Sequence, residues 1–285
     1  TLLSTGDGFK NFDSDIPIKS TLFENKFLKL IAKLIDRLIG VSLNEIEIFI
    51  KAIFKINKLK GFDIVQLINE RAFGTSPKLE KTILKYIFKN NKKVFLLACG
   101  VDTVSIKYAS EKKFRYSILS PYFKNKNLKG EFKHTTKYLN SNYLMLGEYV
   151  RDNVKGIISS DLDYHIPYEN FNKYLGMIPN PVNIDKLKKS EINKKNKIFI
   201  LHAINSKNKI KKGNEFFEKS LILIEEKYKN KIKIVKTIDR PYSEHIINVN
   251  ECDILLDQVY AYDQGYNALE AMALGKVVFT GAEKE

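Results

Sequence analysis

The residues best suited to chemistry lie near the end of the chain, in the stretch CDILLDQVYAYDQGYNALEAMALGKVVFT. An apolar run there ends at Asp257, a polar and aromatic loop follows, and Gly265 precedes a predicted helix. Tyr266 and Asn267 open this helix, whose first N–H groups have no intrahelical partner and carry partial positive charge, so they suit a diphosphate. One turn further on, Glu270 carries a carboxylate that can accept hydrogen bonds from two ribose hydroxyl groups.

Metal and redox chemistry find little support in the sequence. Cys99 and Cys252 each lie inside an apolar run and form no CxxC pair, so we interpret both as buried, reduced thiols. The four histidines have no metal-ligand spacing. Asp161 and Asp163 have the spacing of an acidic DxD motif, but they fall in the first part of the chain, and we interpret them as a polar turn.

The basic character of the chain leaves two interpretations open. The 285 residues carry a net charge of +15, from 48 lysines and arginines against 33 acidic residues. Only five of the 48 are arginine, the residue that nucleic-acid-binding proteins favour for paired contacts to bases and phosphates. The excess of lysine indicates either a general lysine bias or a functional basic surface, and the charge alone does not decide between them.

The elements that position the chemical residues are predicted as alternating strands and helices. Short apolar runs bounded by glycine or polar residues predict buried strands at 61–69, 92–99, 143–146 and 156–159. Between them lie helical patterns, the clearest at 21–39, where apolar residues fall on one face and lysines elsewhere. Alternation of this kind predicts a parallel sheet covered by helices on both faces.

A linker and a second α/β unit follow. The prolines and asparagines of MIPNPVN, with the lysine- and asparagine-rich stretch after it, place an interdomain linker at 179–196. This linker separates a first Rossmann-like domain, 1–178, from a second, 197–285. The second domain is expected to contain strands at 197–202, 231–236, 252–257 and 276–280 and helices at 213–227, 243–249 and 265–274. No window of the sequence approaches the roughly 20 apolar residues of a transmembrane helix.

One motif resembles a known family. LEAMALGKVVF, at 269–279, is similar to the donor-site helix of retaining GT-B glycosyltransferases, the group 1 or family 4-like enzymes, whose motif is EAMA-x-G-x-P-V-V. In that family the glutamate of the motif binds the ribose of the nucleotide, and it corresponds to Glu270. The family often has another glutamate eight residues earlier, near the donor sugar, where this chain has Tyr262. Val277 also replaces the usual proline.

Further stretches extend the resemblance over most of the chain. In ILHAINSKNKIKKG the family pattern is a strand, a loop and a Lys-Gly pair that opens a helix, and the pair corresponds to Lys212 and Gly213. In the family this lysine neutralises the donor diphosphate. Lys207, in the same loop, stands where many members have an arginine. CGVD resembles a Gly-x-Asp turn of the first domain, which makes Asp102 the catalytic candidate.

The resemblance implies an α/β fold of the GT-B class, with two Rossmann-like domains facing each other across a cleft. Because TLLSTGDGF resembles the family's second strand, we expect a first strand and a glycine-rich loop before Thr1 and closing helices after Glu285 in the complete protein. The donor-binding residues implied are Lys207, Lys212, Gly213, Gly265, Tyr266, Asn267 and Glu270.

The function implied is the transfer of a sugar from a nucleotide-sugar donor to a glycan or lipid-linked acceptor, with retention of configuration. The nucleotide sugar is a substrate, and neither a metal nor another cofactor is expected. The resemblance also implies polysaccharide biosynthesis in the cytoplasm, with peripheral contact to an anionic membrane as an option. No nucleic-acid partner is expected.

Other functions stay open. An inactive GT-B protein would bind a sugar nucleotide without transferring the sugar, in keeping with the missing glutamate at Tyr262. A GT-B epimerase or phosphorylase would differ in its products. A basic nucleic-acid-binding protein would use the net charge, and its affinity would fall steeply with salt. The helix at 21–39 is most simply a core-packing helix, with membrane docking as the alternative.

Overall fold

The computed structural model describes residues 1–5, 14–19, 42–187 and 196–283. The predicted helix at 21–39 and residues 188–195 of the predicted linker at 179–196 lie outside these residues. The chain divides into two compact units. Unit 1 comprises Thr1–Val104, Lys137–Ser159 and Tyr168–Gly176, and unit 2 comprises Ser105–Thr136, Ser160–Pro167 and Met177–Glu285. The linear division into 1–178 and 197–285 stays a prediction.

Strands and helices alternate along the described chain. The strands are β1 (Leu3–Ser4), β2 (Ile16–Pro17), β3 (Ile64–Ile68), β4 (Lys93–Ala98), β5 (Gly156–Ser159), β6 (Tyr174–Met177), β7 (Ile198–Ile204), β8 (Ile232–Ile238), β9 (Ile254–Leu256) and β10 (Val277–Phe279). The helices are α1 (Leu43–Phe54), α2 (Pro77–Asn90), α3 (Thr103–Ser110), α4 (Ser120–Lys124), α5 (Lys129–Thr136), α6 (Ser141–Asn153), α7 (Leu162–Tyr168), α8 (Asn214–Tyr228), α9 (Tyr242–Glu251) and α10 (Tyr266–Ala273). Among the helices that the structure describes, none has the length and apolar character of a membrane span.

Unit 1 is built on a four-stranded sheet in the order β3-β4-β5-β6, in which β3, β4 and β5 run parallel. The register pairs Leu67 with Leu96 and Leu96 with Ile157, and all three side chains are buried. The strands predicted at 61–69, 92–99 and 156–159 are therefore confirmed, the first two with slightly shorter bounds. The prediction that the first of them is buried is wrong, because Ile64 and Ile68 of β3 are exposed. The pattern does not predict β6, because its four residues are mostly half-buried and show no alternation.

The strand predicted at 143–146 is wrong, because these residues belong to α6. Leu146, Gly147 and Val150 are buried at the spacing of one helix face. A short apolar run does not distinguish a strand from one turn of a buried helix, so the pattern over the following turns decides the structure.

Unit 2 is built on a parallel four-stranded sheet in the order β10-β9-β7-β8. The chain moves to one side of β7 to form β8 and to the other side to form β9 and β10. The strands and helices predicted between 197 and 280 are confirmed within a few residues. Two α/β units, each with parallel strands, are what the predicted fold class requires, and this part of the prediction is confirmed.

The two cysteines differ in burial. Cys252 is fully buried in the core of unit 2, where it packs with Leu201, Leu255 and Leu274. Cys99 follows β4 and is only partly buried, so the prediction of a buried thiol is confirmed for Cys252 alone. Neither cysteine forms a disulfide.

Candidate functional site

The strand order of unit 2 reverses at β7. This reversal brings together the loop that follows β7 and the loop that follows β9. β7 ends at Ile204 and leads through a loop to Lys212 and Gly213, while β9 ends at Leu256, directly before Asp257. β7 and β9 are parallel neighbours, so both loops start at the same edge of the sheet. Open α/β sheets hold ligands beyond the carboxyl ends of their strands, at such a reversal. This edge of unit 2 is therefore the candidate site.

Asp257 is the centre of the hydrogen-bonding at this edge. Its carboxylate accepts from the Lys212 ammonium at 2.8 Å, from the Gly265 N–H at 3.0 Å and from the Thr280 hydroxyl at 3.0 Å. The Asp257 side chain is almost fully buried, whereas the Lys212 side chain keeps 26% of its surface exposed. One buried carboxylate thus fixes the basic loop, the start of α10 and the end of β10, while the lysine reaches solvent.

The two glycines of the candidate site are required by close packing. Gly213 has φ of 71°, in the left-handed region that favours glycine, and it caps the start of α8. A Cβ at Gly213 would lie 3.0 Å from side-chain atoms of Val259 and Tyr260, and the Val259 N–H donates to the Lys212 carbonyl at 2.8 Å. A Cβ at Gly265 would lie within 2.9 Å of the neighbouring carboxylate. At both positions a side chain of the site therefore packs directly against the glycine backbone.

Glu270 lies one turn into α10, between two tyrosines. It is 4% exposed, and its Oε1 atom accepts the hydroxyl hydrogen of Tyr242 at 2.6 Å. Burial raises the pKa of the Tyr242 hydroxyl, and the Glu270 carboxylate raises it further, so Tyr242 stays a hydrogen-bond donor. Burial and Glu270 also raise the pKa of Tyr266, which begins the helix and is 39% exposed. Asn267, beside it, is half-buried.

Tyr262 points into unit 2. It occupies the position where the family that this chain resembles often has a glutamate. It is 2% exposed, its ring contacts the rings of Phe114 and Tyr116, and its hydroxyl accepts the Arg115 N–H at 2.8 Å. The loop between β9 and α10 is thereby attached to residues 114–116. The Tyr262 side chain contributes packing and this hydrogen bond, and it presents no acidic group.

Three carboxylates lie beside this loop. The Tyr262 N–H donates to Asp163 at 3.2 Å, and the Leu162 N–H donates to Asp263 at 3.2 Å. Burial raises the pKa of Asp161 to about 7, and the charges of Asp163 and Asp263 raise it as well. Burial likewise raises the pKa of Asp163 to about 6. Within the described residues, no group of histidine, cysteine and acidic side chains is arranged to hold a metal ion.

Asp102, the catalytic candidate, belongs to unit 1 and is fully buried. The next residue, Thr103, donates its N–H and its hydroxyl to the Glu70 carboxylate at 2.9 and 2.8 Å. Burial raises the pKa of Glu70, and the charge of Asp102 raises it further. The carboxylate of Asp102 would have to be uncovered before it touched a substrate, and its catalytic role stays a prediction.

The structure therefore brings most of the predicted donor-binding residues together and leaves one of them apart. Lys212 and Gly265 meet at Asp257, with Gly213 next to Lys212 and packed on Val259 and Tyr260. Tyr266, Asn267 and Glu270 continue along the first turns of α10. Lys207 is exposed in the loop after β7, near Asp239, whose pKa is lowered first by Ser206 and then by this lysine. Their binding roles stay predictions.

Sequence reasoning missed three residues of the candidate site, Asp257, Tyr242 and Thr280. The signal for Asp257 is present in the sequence, because an acidic residue directly after a buried apolar strand falls at the carboxyl edge of a parallel sheet. Tyr242 and Thr280 carry no such signal, since their partners lie 28 and 23 residues away along the chain.

No family model and no curated protein matches the chain. Among solved structures, the chain is similar to the sucrose-phosphate synthase of Thermosynechococcus elongatus, with 12% sequence identity and a TM-score of 0.49. The match covers 82% of this chain and 61% of the synthase, so the chain spans less than two thirds of that protein's length.

Proposed function

We propose that the chain is a GT-B glycosyltransferase that moves a sugar from a nucleotide-sugar donor to a glycan or lipid-linked acceptor, with retention of configuration. The observation that carries this proposal is the arrangement of Lys212, Gly265 and Glu270 at the reversal of strand order in unit 2. A cation, a helix start and a carboxylate one turn further on are the groups that a nucleoside diphosphate requires.

Each group has a separate role in the proposed reaction. Departure of the nucleoside diphosphate leaves negative charge on its phosphate oxygens, which a preorganised cation and helix dipole stabilise. The Lys212 ammonium has three N–H groups, so its bond to Asp257 leaves donors for phosphate. Glu270 accepts the ribose hydroxyls, while the Tyr242 hydroxyl fixes the orientation of the carboxylate.

The surrounding loop supports binding of an anion. Lys207, Lys211 and Lys212 lie within six residues of one another and give the loop before α8 positive charge. Lys209, in the same loop, is paired with Glu218 at 2.9 Å. Because lysine supplies the positive charge, we expect a nucleoside diphosphate to bind without a divalent metal ion. Calorimetry with and without a chelator checks this, and binding that requires the metal would contradict it.

A second candidate is a GT-B protein that binds a sugar nucleotide and transfers nothing. The observation in its favour is the buried Tyr262, because the position that often carries a sugar-binding glutamate has no carboxylate. A nucleic-acid-binding function is motivated by the net charge of +15 alone. Product analysis after incubation with a bound donor and candidate acceptors separates the enzyme from the inactive binder, and also from an epimerase or a phosphorylase.

The first experiment is a thermal-shift screen against nucleoside diphosphates and nucleotide sugars of the five common bases. A ligand present at 100 times its dissociation constant stabilises the folded protein by about 2.7 kcal/mol, which raises the melting temperature by several degrees. We expect at least one nucleoside diphosphate and the matching nucleotide sugar to give this shift. A protein that none of these compounds stabilises would contradict the proposed function.

A further inference from the structure

The stretch 105–136, which belongs wholly to unit 2, is strongly basic. It contains seven lysines and one arginine against two glutamates, a net charge of +6 out of +15 for the whole chain. One of the glutamates, Glu111, is already paired with Lys113 at 2.7 Å. All seven lysines are exposed. Somewhat more than a ninth of the chain therefore carries two fifths of its net charge.

Several of these lysines lie over aromatic rings that contact one another. The Lys126 ammonium is 4.2 Å from the centre of the Tyr122 ring and 5.3 Å from that of Phe123. The Lys112 ammonium is 5.6 Å from the Phe123 ring, and the Tyr122 ring stacks on Phe132 at 5.5 Å. These contacts make the charges one continuous feature.

Two further lysines extend this feature. Lys211 lies 5.8 Å from the Phe132 ring, and Lys124 lies 5.6 Å from the ring of Tyr260. We define the basic-aromatic surface by its lysines and the two half-buried rings beside them: Lys112, Lys124, Lys126, Lys211, Tyr122 and Phe123. Phe132 is fully buried and supports the Tyr122 ring from within.

The chemistry of this surface fits the headgroups of an anionic membrane. Lysine is a compact, strongly hydrated charge, and each lysine near an anionic bilayer strengthens binding roughly fivefold. Tyrosine and phenylalanine at such a surface place apolar rings at headgroup level beneath the lysine stems. Charge attraction over several lysines, without a spanning helix, produces reversible attachment that weakens with salt.

The same surface fits a nucleic acid less well. Proteins that bind single strands stack bases on open aromatic faces, and they use arginine for paired phosphate contacts. Here the rings of Tyr122 and Phe123 lie beside lysine ammonium groups. Arg115 is the one arginine in the stretch.

We propose that the basic-aromatic surface docks unit 2 onto a bilayer rich in anionic phospholipid. The proposal is independent of sugar transfer, although a lipid-linked acceptor would be presented at such a bilayer.

The test measures binding of the purified protein to vesicles of phosphatidylcholine alone and of phosphatidylcholine mixed equally with phosphatidylserine. We expect binding to the mixed vesicles only, and a steady loss of binding as salt is raised. Changing Lys112, Lys124 and Lys126 together to glutamine should lower the affinity for mixed vesicles about 100-fold. The matched control changes three exposed lysines of α8 and its C-terminus, Lys219, Lys227 and Lys229, to glutamine, and it should lose less than about threefold.

Three results would overturn the proposal. The first is equal binding to both vesicles, which would exclude charge attraction. The second is an equal loss of binding in the control variant, which would make net charge responsible instead of this surface. The third is tighter binding to a single-stranded oligonucleotide than to mixed vesicles, lost in the same triple variant, which would make a nucleic acid the partner. Melting curves of both variants confirm that each is folded.

Discussion

Two carboxylates that follow parallel strands, Glu70 in unit 1 and Asp257 in unit 2, are held in different ways. Glu70 is 1% exposed, and it accepts from both donors of Thr103 and from the Arg151 guanidinium at 2.5 Å. Burial raises its pKa, and so does the nearby Asp102. Asp257 is equally enclosed, but its cation is a flexible lysine that reaches solvent, and its amide donor begins a helix.

This difference shows that a position at the carboxyl edge of a parallel sheet does not by itself make a residue part of a ligand site. A closed network such as that of Glu70 satisfies its charges internally, and a raised pKa there follows from burial. Perturbed pKa values often mark functional sites, yet structural ion pairs perturb them too. The Asp257 edge is the stronger candidate because its partners, Lys212 and the first turn of α10, can also hold an anion.

The largest effect is expected from breaking the closed network. Changing Arg151 to alanine leaves Glu70 buried beside Asp102 without a cation, and loss of one partner of a buried pair costs about 3–5 kcal/mol. Urea unfolding should show this loss of stability, with nucleotide affinity unchanged in the folded protein. The control is Arg115→Ala, whose side chain is 75% exposed and which should lose less than about 0.5–1 kcal/mol. A loss below about 1 kcal/mol for Arg151→Ala would show that the network is not closed.

Lys212→Met tests whether the Asp257 edge of unit 2 binds an anion. Methionine keeps the length of the side chain and removes the ammonium, so the variant loses one charge-assisted contact worth about 1.5–3 kcal/mol. Calorimetry should show a 10- to 150-fold lower affinity for the nucleoside diphosphate that stabilises the wild-type protein best, roughly as this energy requires. Lys219→Met, an exposed lysine of α8, is the matched control and should bind normally. Equal affinities of the two variants would remove Lys212 from the site.

A smaller effect is expected at Asp161, which has a raised pKa in unit 2 but lies outside the Asp257 contacts. Its pKa is raised from 3.8 to about 7, so between these values the folded protein binds more protons than the unfolded chain. This group therefore makes the free energy of unfolding fall as pH rises through that window.

Asp161→Asn should remove that fall. Its stability relative to wild type should increase by about 2 kcal/mol between pH 5 and pH 6.5, because each pH unit inside the window contributes about 1.4 kcal/mol. Urea unfolding at several pH values measures the change, and nucleotide affinity at pH 8 should stay within about twofold of wild type. A stability difference that does not vary with pH would show that Asp161 titrates normally. A large loss of affinity would place it in the site.

The apolar runs of the sequence predict most strands of the two four-stranded sheets. β4, β7 and β9 are confirmed because each is a compact apolar run at a buried position. The sequence pattern does not predict β6, because its residues are mostly half-buried and show no alternation. The apolar run at 143–146 is one turn of α6. Whether a short apolar run forms a strand or one turn of a helix depends on packing partners that the local sequence does not specify.

The candidate site was predictable where local chemistry decides the structure. A glycine before a predicted helix places the start of α10, and the Lys-Gly pair places the start of α8. The burial of Tyr262 was not predictable, because its hydroxyl partner, the Arg115 N–H, lies 147 residues away along the chain. The contacts of Asp257 to Lys212 and Thr280 depend in the same way on the order of the strands.

The most direct test of the candidate site is calorimetric titration of wild type and Glu270→Gln with the best-binding nucleoside diphosphate. Glutamine keeps the size of the side chain and removes its charge, so affinity should fall about 10- to 150-fold, or about 1.5–3 kcal/mol. The melting temperature should change little, and Glu226→Gln, an exposed glutamate of α8, should match wild type in both respects. Unchanged nucleotide binding by a well-folded Glu270→Gln protein would contradict the assignment of this edge of unit 2 as the donor site.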